Sequence, residues 1–156
     1  MNLLKMAVAA SGAAISMAAA PVALAGECPA GQTGANALTD APTMPSRVTD
    51  DVIASIDLGQ GYNIPGRNLR MRRLVVQPGG VVPLHSHAER PANIYVVTGQ
   101  ITEYRSTCAV PITHRSGEVV AEQGETSHWW RNNSRRRTVL ISADIPPPAG
   151  NAQGGM

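Results

Sequence analysis

Two histidines stand one residue apart in the stretch PGGVVPLHSHAERPANIYVVTGQ, and the whole chain of 156 residues has only four. An imidazole pair at i and i+2 reads either as two metal ligands or as two polar side chains beside a turn, and an HxH alone does not decide. A third imidazole follows in GEVVAEQGETSHWWRNN, where His128 comes after a glycine-bounded turn. A metal usually takes three or more protein ligands, so His85, His87 and His128 form a candidate set. Three neutral imidazoles with open positions suit a divalent transition metal such as Fe, Mn, Cu, Ni or Zn, and the donor types do not choose among these. Glu89, two residues beyond His87, is the nearest carboxylate and a candidate general base at the mouth of such a site. His114, in PITHRSG, lies near the turn at Gly117 and is expected at the surface.

The elements that would carry these residues are short and β-type. VIASID, LRMRRLVV, VVPLHSH, NIYVVT and ITEYRS come first, followed by AVPITH, EVVAE, SHWWRN and TVLISAD. Most are bounded by Gly, Pro, Asn or Ser, and no helical period lasts beyond a turn or two. Many short strands at close spacing indicate a small sandwich or barrel. Gly99-Gln100, between two β-runs, reads as a two-residue hairpin turn. Side chains alternate across a strand, which puts His85 and His87 on one face, about 7 Å apart. Buried without partners they would be costly, and a metal satisfies both. Trp130 and Asn132 share the face of His128. Asn132 is a candidate hydrogen-bond partner for a ligand imidazole, and Trp130 either walls a pocket or fills the core of a chain that has no phenylalanine.

The ends read differently. Residues 1–25 carry Lys5, an Ala-rich apolar run and the triplet Ala23-Leu24-Ala25, the layout of a secretory signal peptide cleaved after Ala25. The mature chain is then expected to be exported, periplasmic or extracellular, and free of the membrane. Residues 26–50 read as an extended arm, 51–145 as one β-domain, and 146–156, rich in Pro and Gly, as a disordered tail. The charges nearly balance, 13 Lys plus Arg against 11 Asp plus Glu, which implies no nucleic-acid partner. The two cysteines, Cys28 and Cys108, are expected to form a disulfide in an oxidising compartment.

With these residues in place the sequence resembles the cupin superfamily. GGVVPLHSH, from Gly79, is similar to the first cupin motif, GxxxxxHxH, and IYVVTG to the hydrophobic run and glycine that close it. GEVVAEQGETSHWWRN is similar to the second motif, with Gly117, His128 and Asn132 at matching positions. The resemblance implies an all-β fold, a single double-stranded β-helix or jelly-roll barrel with the metal inside one end. It also implies a fourth ligand, a glutamate, where this chain has Ala92. The second motif's Pro and Gly fall on Gln123 and Glu125, so that turn must be built differently. The expectation is an exported metal-binding cupin that acts as a dioxygenase-like oxidoreductase on a small organic substrate. The alternative is a non-catalytic barrel that holds a metal or small ligand, and a homodimer is expected by analogy with the family.

Overall fold

The computed structural model describes residues 27–36 and 38–148, so the expected leader and residues 149–156 of the expected tail lie outside the described residues. Eight strands follow in order: β1 (Ser46–Asp57), β2 (Asn68–Ser86), β3 (Ala92–Thr98), β4 (Gln100–Arg105), β5 (Ile112–Arg115), β6 (Val119–Glu122), β7 (Ser127–Arg131) and β8 (Thr138–Asp144). Every pairing is antiparallel, in the order β5-β4-β7-β2-β8-β3-β6, with β1 laid on β2. No helix among the described residues is long and apolar enough to cross a membrane.

β2 builds the barrel. Its Arg70–Val76 half pairs with β8, and its Val81–Ser86 half pairs with β7, so one strand turns the corner between two sheets. The sequence suggests two separate runs here, interrupted by Pro78-Gly79-Gly80. The backbone bends at that point instead of breaking. Gly79 takes a φ of 74°, its N–H donates to the Asn132 carbonyl at 2.8 Å, and the Asn132 N–H returns a bond to Gly80 at 3.0 Å. A Cβ on Gly80 would stand 2.6 Å from the Arg47 carbonyl, which excludes any other residue without a shift.

Gly99 makes a second corner rather than the hairpin turn its neighbours suggest. β3 pairs with β6 and β8 while β4 pairs with β5 and β7, so the two strands it joins do not pair with each other. The reason is contact: a Cβ there would meet Thr138 Oγ1 at 2.8 Å and the Arg137 carbonyl at 2.9 Å, because the corner is pressed against the start of β8.

Strand alternation fills the interior. Leu74, Val76, Ile94, Val96, Ile101, Val120, Trp130 and Leu140 form the buried cluster, each two residues from the next inward position on its strand. At one end the same inward positions are polar: Arg72, Glu103, His114, Glu122, His128, Ser142 and Asp144 are all buried. Burial of that many polar groups requires that each find a partner.

The boundary expected at residue 50/51 falls inside β1. The run SRVTDD is polar, but it pairs with β2 as Val48↔Val76, Thr49↔Val75 and Asp50↔Leu74, and Val48 packs against the core. Residues before it form an arm stapled to the β4–β5 connection. Cys28 and Cys108 are disulfide-bonded with Cα atoms 5.6 Å apart, as expected. Gly34 and Asn36 N–H groups donate to Thr107 and Ser106 carbonyls at 3.1 and 2.9 Å. At the other end, Ile145, the last residue of the expected domain, donates its N–H to Pro91 at 3.1 Å, and the expected tail starts held to the barrel, with Arg67 donating to the Pro146 carbonyl at 3.3 Å.

Candidate metal centre

The ladder between β2 and β7 brings the histidines together. Val82 pairs with Trp130 and His85 with His128, and a bulge between them absorbs the extra residue on β2. His87 lies just past the end of β2, two residues on. The three rings sit edge-on at centroid separations of 4.9 Å (His85–His87), 4.5 Å (His85–His128) and 4.8 Å (His87–His128). The expected three-histidine cluster is therefore formed.

Each ring is held by its outer nitrogen. His85 Nδ1 lies 2.8 Å from the Pro83 carbonyl, His87 Nδ1 lies 2.7 Å from the Arg90 carbonyl, and His128 Nδ1 lies 2.5 Å from Glu103 Oε1. Carbonyls and carboxylates only accept, so each Nδ1 carries the proton and donates it. Each Nε2 then presents a lone pair to the centre, the tautomer a metal requires. His85 Nε2 and His128 Nε2 face each other at 3.1 Å, too close for two lone pairs with nothing between them. A proton shared between them would make one ring an imidazolium. Burial, with repulsion from His128 added, opposes that at His85 and pushes its pKa down to about 2.

The fourth donor is Glu122, at the end of β6. Its Oε2 lies 2.7 Å from His87 Nε2, and the donor atoms of His85, His87, Glu122 and His128 all fall within 4.8 Å of one another. His87 Nε2 and Glu122 Oε1 are buried and have no hydrogen-bond partner. Glu122 Oε1 has only His128 Nδ1 beside it, at 3.2 Å, and that N–H is given to Glu103; the two opposed lone pairs and the His87 Nε2 acceptor facing Glu122 Oε2 are what a cation would satisfy, so the residues fit a divalent ion with three imidazoles and one carboxylate. The position where the family places its glutamate is Ala92, and Ala92 is the cross-strand partner of Glu122 in the β3–β6 ladder. The carboxylate present here stands at the facing position of the neighbouring strand, where opposed Cβ atoms lie about 5 Å apart.

Behind His128 lies Glu103, on β4. It accepts from His128, from His114 Nε2 at 2.9 Å, and from Arg105 Nε and Nη2 at 2.8 and 3.0 Å. Burial alone would raise its pKa, but the hydrogen bonds from His114, His128 and Arg105 outweigh it and hold Glu103 well below the usual carboxylate range. Trp130 Nε1 also stands 3.0 Å from His128 Nδ1. A nitrogen that donates to a carboxylate has no lone pair left, so this contact is packing of the indole edge rather than a hydrogen bond.

The other sequence-predicted residues fall in varied places. His114 is not at the surface: it is fully buried, bonded to Glu103, and stacked on Trp130 at 4.9 Å, because alternation with Ile112 turns it inward. Trp130 belongs to the core cluster and also lines the cavity above the histidines. Asn132 makes no bond to an imidazole; its amide donates to the Val76 and Arg136 carbonyls at 2.9 and 2.8 Å and accepts from Ser134, holding the β7–β8 turn. Glu89 is exposed on the β2–β3 loop and lies outside the four-residue cluster, with its backbone carbonyl bonded to Arg67. Glu122, Glu103 and the inward His114 escape a reading of motifs, although the period of two starting from Val120, Ile101 and Ile112 points to all three.

The cavity above the histidines encloses only about 20 Å³, room for a water or two, and opens to solvent. His85, His87 and Glu122 form one part of its wall, Trp130 and aliphatic side chains another, and Arg72 a third.

A family model described as a cupin domain matches residues 72–144, the segment that carries both histidine motifs and Glu122. Residues 72–144 form a domain of the cupin superfamily. Solved structures agree on the fold. The cupin is similar to a predicted oxalate decarboxylase from Thermotoga maritima, with a TM-score of 0.52 at 15% identity over 72% of this chain and 97% of that one. KdgF from Halomonas sp. gives 0.51 at 14% identity over 66% and 82%. The cupin domain of Schizosaccharomyces pombe Cnp3 gives 0.51 at 9% identity, where the match spans 63% of this chain and 64% of that one. Identities this low carry the fold and not the chemistry. No curated protein sequence matches the chain.

Proposed function

We propose that this protein is an exported cupin that binds a divalent transition metal through His85, His87, Glu122 and His128 and uses it on a small organic substrate. The observation that carries the reading is the set of three Nδ1–H groups tied to Pro83, Arg90 and Glu103, which leaves three Nε2 lone pairs and the Glu122 carboxylate aimed at one point. A bound divalent ion would supply Lewis acidity, or redox chemistry if it is Fe, Mn or Cu. The chain's own part is to orient the imidazoles through Pro83, Arg90 and Glu103, and to bring a substrate against them beside a largely apolar wall. An oxidoreductase of dioxygenase type fits a site with four donors and room for exchangeable ligands. Glu89 is too exposed to be the base of first choice, and the Glu122 carboxylate takes over the role of the nearest acidic group. The non-catalytic alternative keeps the same four ligands and differs only in turnover.

The leader at residues 1–25 and the Cys28–Cys108 bond support export to the periplasm or the cell exterior. A homodimer belongs to the same reading: β1 pairs only with β2, and its Val52, Ile53 and Ile56 are exposed. Elemental analysis of protein purified from its native compartment tests the metal. About one equivalent per wild-type chain, absent from the His128→Ala variant and retained by His114→Ala, is expected. Equal metal content in wild type and His128→Ala overturns the reading.

A further inference from the structure

Five arginines gather at the end of the barrel away from the histidines. Arg115 stands opposite Gln100 in the β4–β5 ladder and Arg131 opposite Thr102 in the β4–β7 ladder, both on the outward face because Ile101 and Glu103 are buried. Arg131 lies three residues, about 10 Å, along β7 from His128. Arg135, Arg136 and Arg137 follow in the β7–β8 turn, which is pressed on the Gly99 corner: a Cβ on Gly99 would meet the Arg137 carbonyl at 2.9 Å. All five residues are exposed. Arg70, Arg72, Arg73, Arg90 and Arg105 lie against carboxylates, yet none of these five makes an ion pair among the described residues. Glu118 is the single carboxylate within residues 95–102, 115–119 and 131–138, and its Oε2 accepts from the Arg115 backbone N–H at 2.9 Å. The turn that carries the charges is fixed through its backbone, since the Arg136 carbonyl accepts from the buried Asn132 amide at 2.8 Å and the Arg136 N–H donates to Ser134 Oγ at 3.3 Å. Like charges held together repel, and an array of anions would relieve that repulsion. Around the Gly99 corner the same end leaves apolar side chains in the open. Tyr95, Val97 and Val119 are 42%, 36% and 50% exposed; Tyr95 faces Val119 in the β3–β6 ladder, and the Val97 carbonyl accepts from Ser116 Oγ, next to Arg115, at 2.8 Å.

We propose that this end docks the protein on the anionic headgroups of a phospholipid bilayer, with the guanidiniums on lipid phosphates and Tyr95, Val97 and Val119 at headgroup depth. Charges spread over two strand ends and a turn fit an extended array of anions rather than one ion, and each guanidinium matches a phosphate with two parallel bonds. The exposed aliphatic and aromatic side chains beside them decide the class of partner. A bilayer surface is anionic above and apolar below, whereas a nucleic-acid duplex offers phosphates without an apolar layer. Docking in this way leaves the histidine end turned to solvent. The contact departs from the expectation of a mature chain free of the membrane, but it is peripheral, and no helix among the described residues is long and apolar enough to span one. It goes beyond the metal reading and does not depend on it.

Cosedimentation of protein purified from its native compartment with vesicles of phosphatidylcholine alone, and of phosphatidylcholine with one third phosphatidylglycerol, tests it. Binding to the mixed vesicles and not to the neutral ones is expected, and it should weaken as salt is raised. A basic side chain near an anionic surface is worth about fivefold in partitioning, so the variant Arg135→Gln/Arg136→Gln/Arg137→Gln should bind about 100-fold more weakly. Its circular dichroism and metal content should match wild type, because the turn is held by backbone atoms and by Asn132. Val119→Ser should weaken vesicle binding severalfold and leave its salt dependence unchanged. Should the triple variant fail to fold, the two vesicle types still decide on wild type. Inorganic phosphate, added at constant ionic strength, is expected not to release the protein; release by it would mean a site for a single anion and overturn the proposal. Equal binding to both vesicle types, binding to neither, wild-type binding by the triple variant, or binding to a DNA duplex but not to the mixed vesicles overturns it as well.

Discussion

Replacing Glu122 by glutamine separates the metal centre from the stability of the barrel, because the two should move in opposite directions. The side chain of Glu122 is 1% exposed, and its Oε2 faces the lone pair of His87 Nε2 at 2.7 Å. Without a cation the carboxylate is a buried charge whose Oε2 meets an acceptor with an acceptor and whose Oε1 has only the His128 Nδ1–H, at 3.2 Å and shared with Glu103, beside it. A glutamine amide of the same shape would donate to His87 Nε2, so metal-free Glu122→Gln should be as stable as metal-free wild type or more stable. With metal the sign reverses. Even outer partners of metal ligands change affinity by 10- to 100-fold, so loss of the only anionic donor should cost at least about 100-fold. At a free metal concentration 100 times the wild-type Kd, linkage gives about 2.7 kcal/mol of stabilisation to wild type and about 0.4 kcal/mol to the variant. For a domain of this size, at about 4 °C per kcal/mol, the metal should raise the wild-type Tm by ~11 °C and that of the variant by ~2 °C. Differential scanning fluorimetry with and without Zn²⁺ or Co²⁺ reads both. A Glu122→Gln protein that keeps the full metal-induced shift, or melts several degrees lower than wild type without metal, would refute the assignment of Glu122 as a ligand. The facing position offers a rescue: Ala92→Glu combined with Glu122→Ala puts the carboxylate back across the ladder and should restore most of the shift.

Three further outcomes follow from the same geometry. Glu103→Gln leaves His114, His128 and Arg105 without the ionised acceptor they share, and should destabilise the fold by about 3 to 5 kcal/mol in urea melts, as for one partner removed from a buried charged network. His85 is held neutral in the metal-free protein, with its pKa lowered from 6.5 to about 2. Its contribution is therefore complete above pH 6.5 and is lost as pH falls, because the unfolded chain takes up a proton that the folded one refuses; by pH 5.5 the loss from this residue should be about 1.4 kcal/mol, and denaturant midpoints that stay level from pH 7.5 to pH 5 would contradict it. Opening the Cys28–Cys108 bond, which closes a separation of 80 residues, should cost about 4 kcal/mol in the chain-entropy model, measured by comparing melts of the oxidised protein and of the Cys28→Ala/Cys108→Ala double variant.

The fold was readable because its signal is local. Every observed strand overlaps a run picked out by β-branched residues and turn breakers, and the three ligand histidines follow from one HxH and one motif match. What escaped were relations that exist only across the sheet. Pro78-Gly79-Gly80 looks like a stop between two strands, and only contact with Arg47 and Asn132 makes it a bend within one. Gly99 looks like a hairpin tip, and only the pairing of β3 with β8 makes it a corner. Asn132 shares a strand face with His128 by parity, but β7 ends at Arg131 and its amide is drawn into the following turn.

Glu122 shows the limit most clearly. A motif fixes a ligand to a place in the chain, whereas a metal requires only a donor at a place in space. Positions 92 and 122 are thirty residues apart in sequence and directly opposed in the ladder, so either can carry the carboxylate to the same ion. The alternation in EVVAE was sufficient to place Glu122 inward with Val120, yet nothing in the order of residues says which strand lies beside β3. A missing motif residue in a barrel is therefore a reason to inspect its cross-strand partner before concluding that a ligand is lost. Here that partner keeps the donor count at four and turns an apparent defect of the first motif into a reassignment between neighbouring strands.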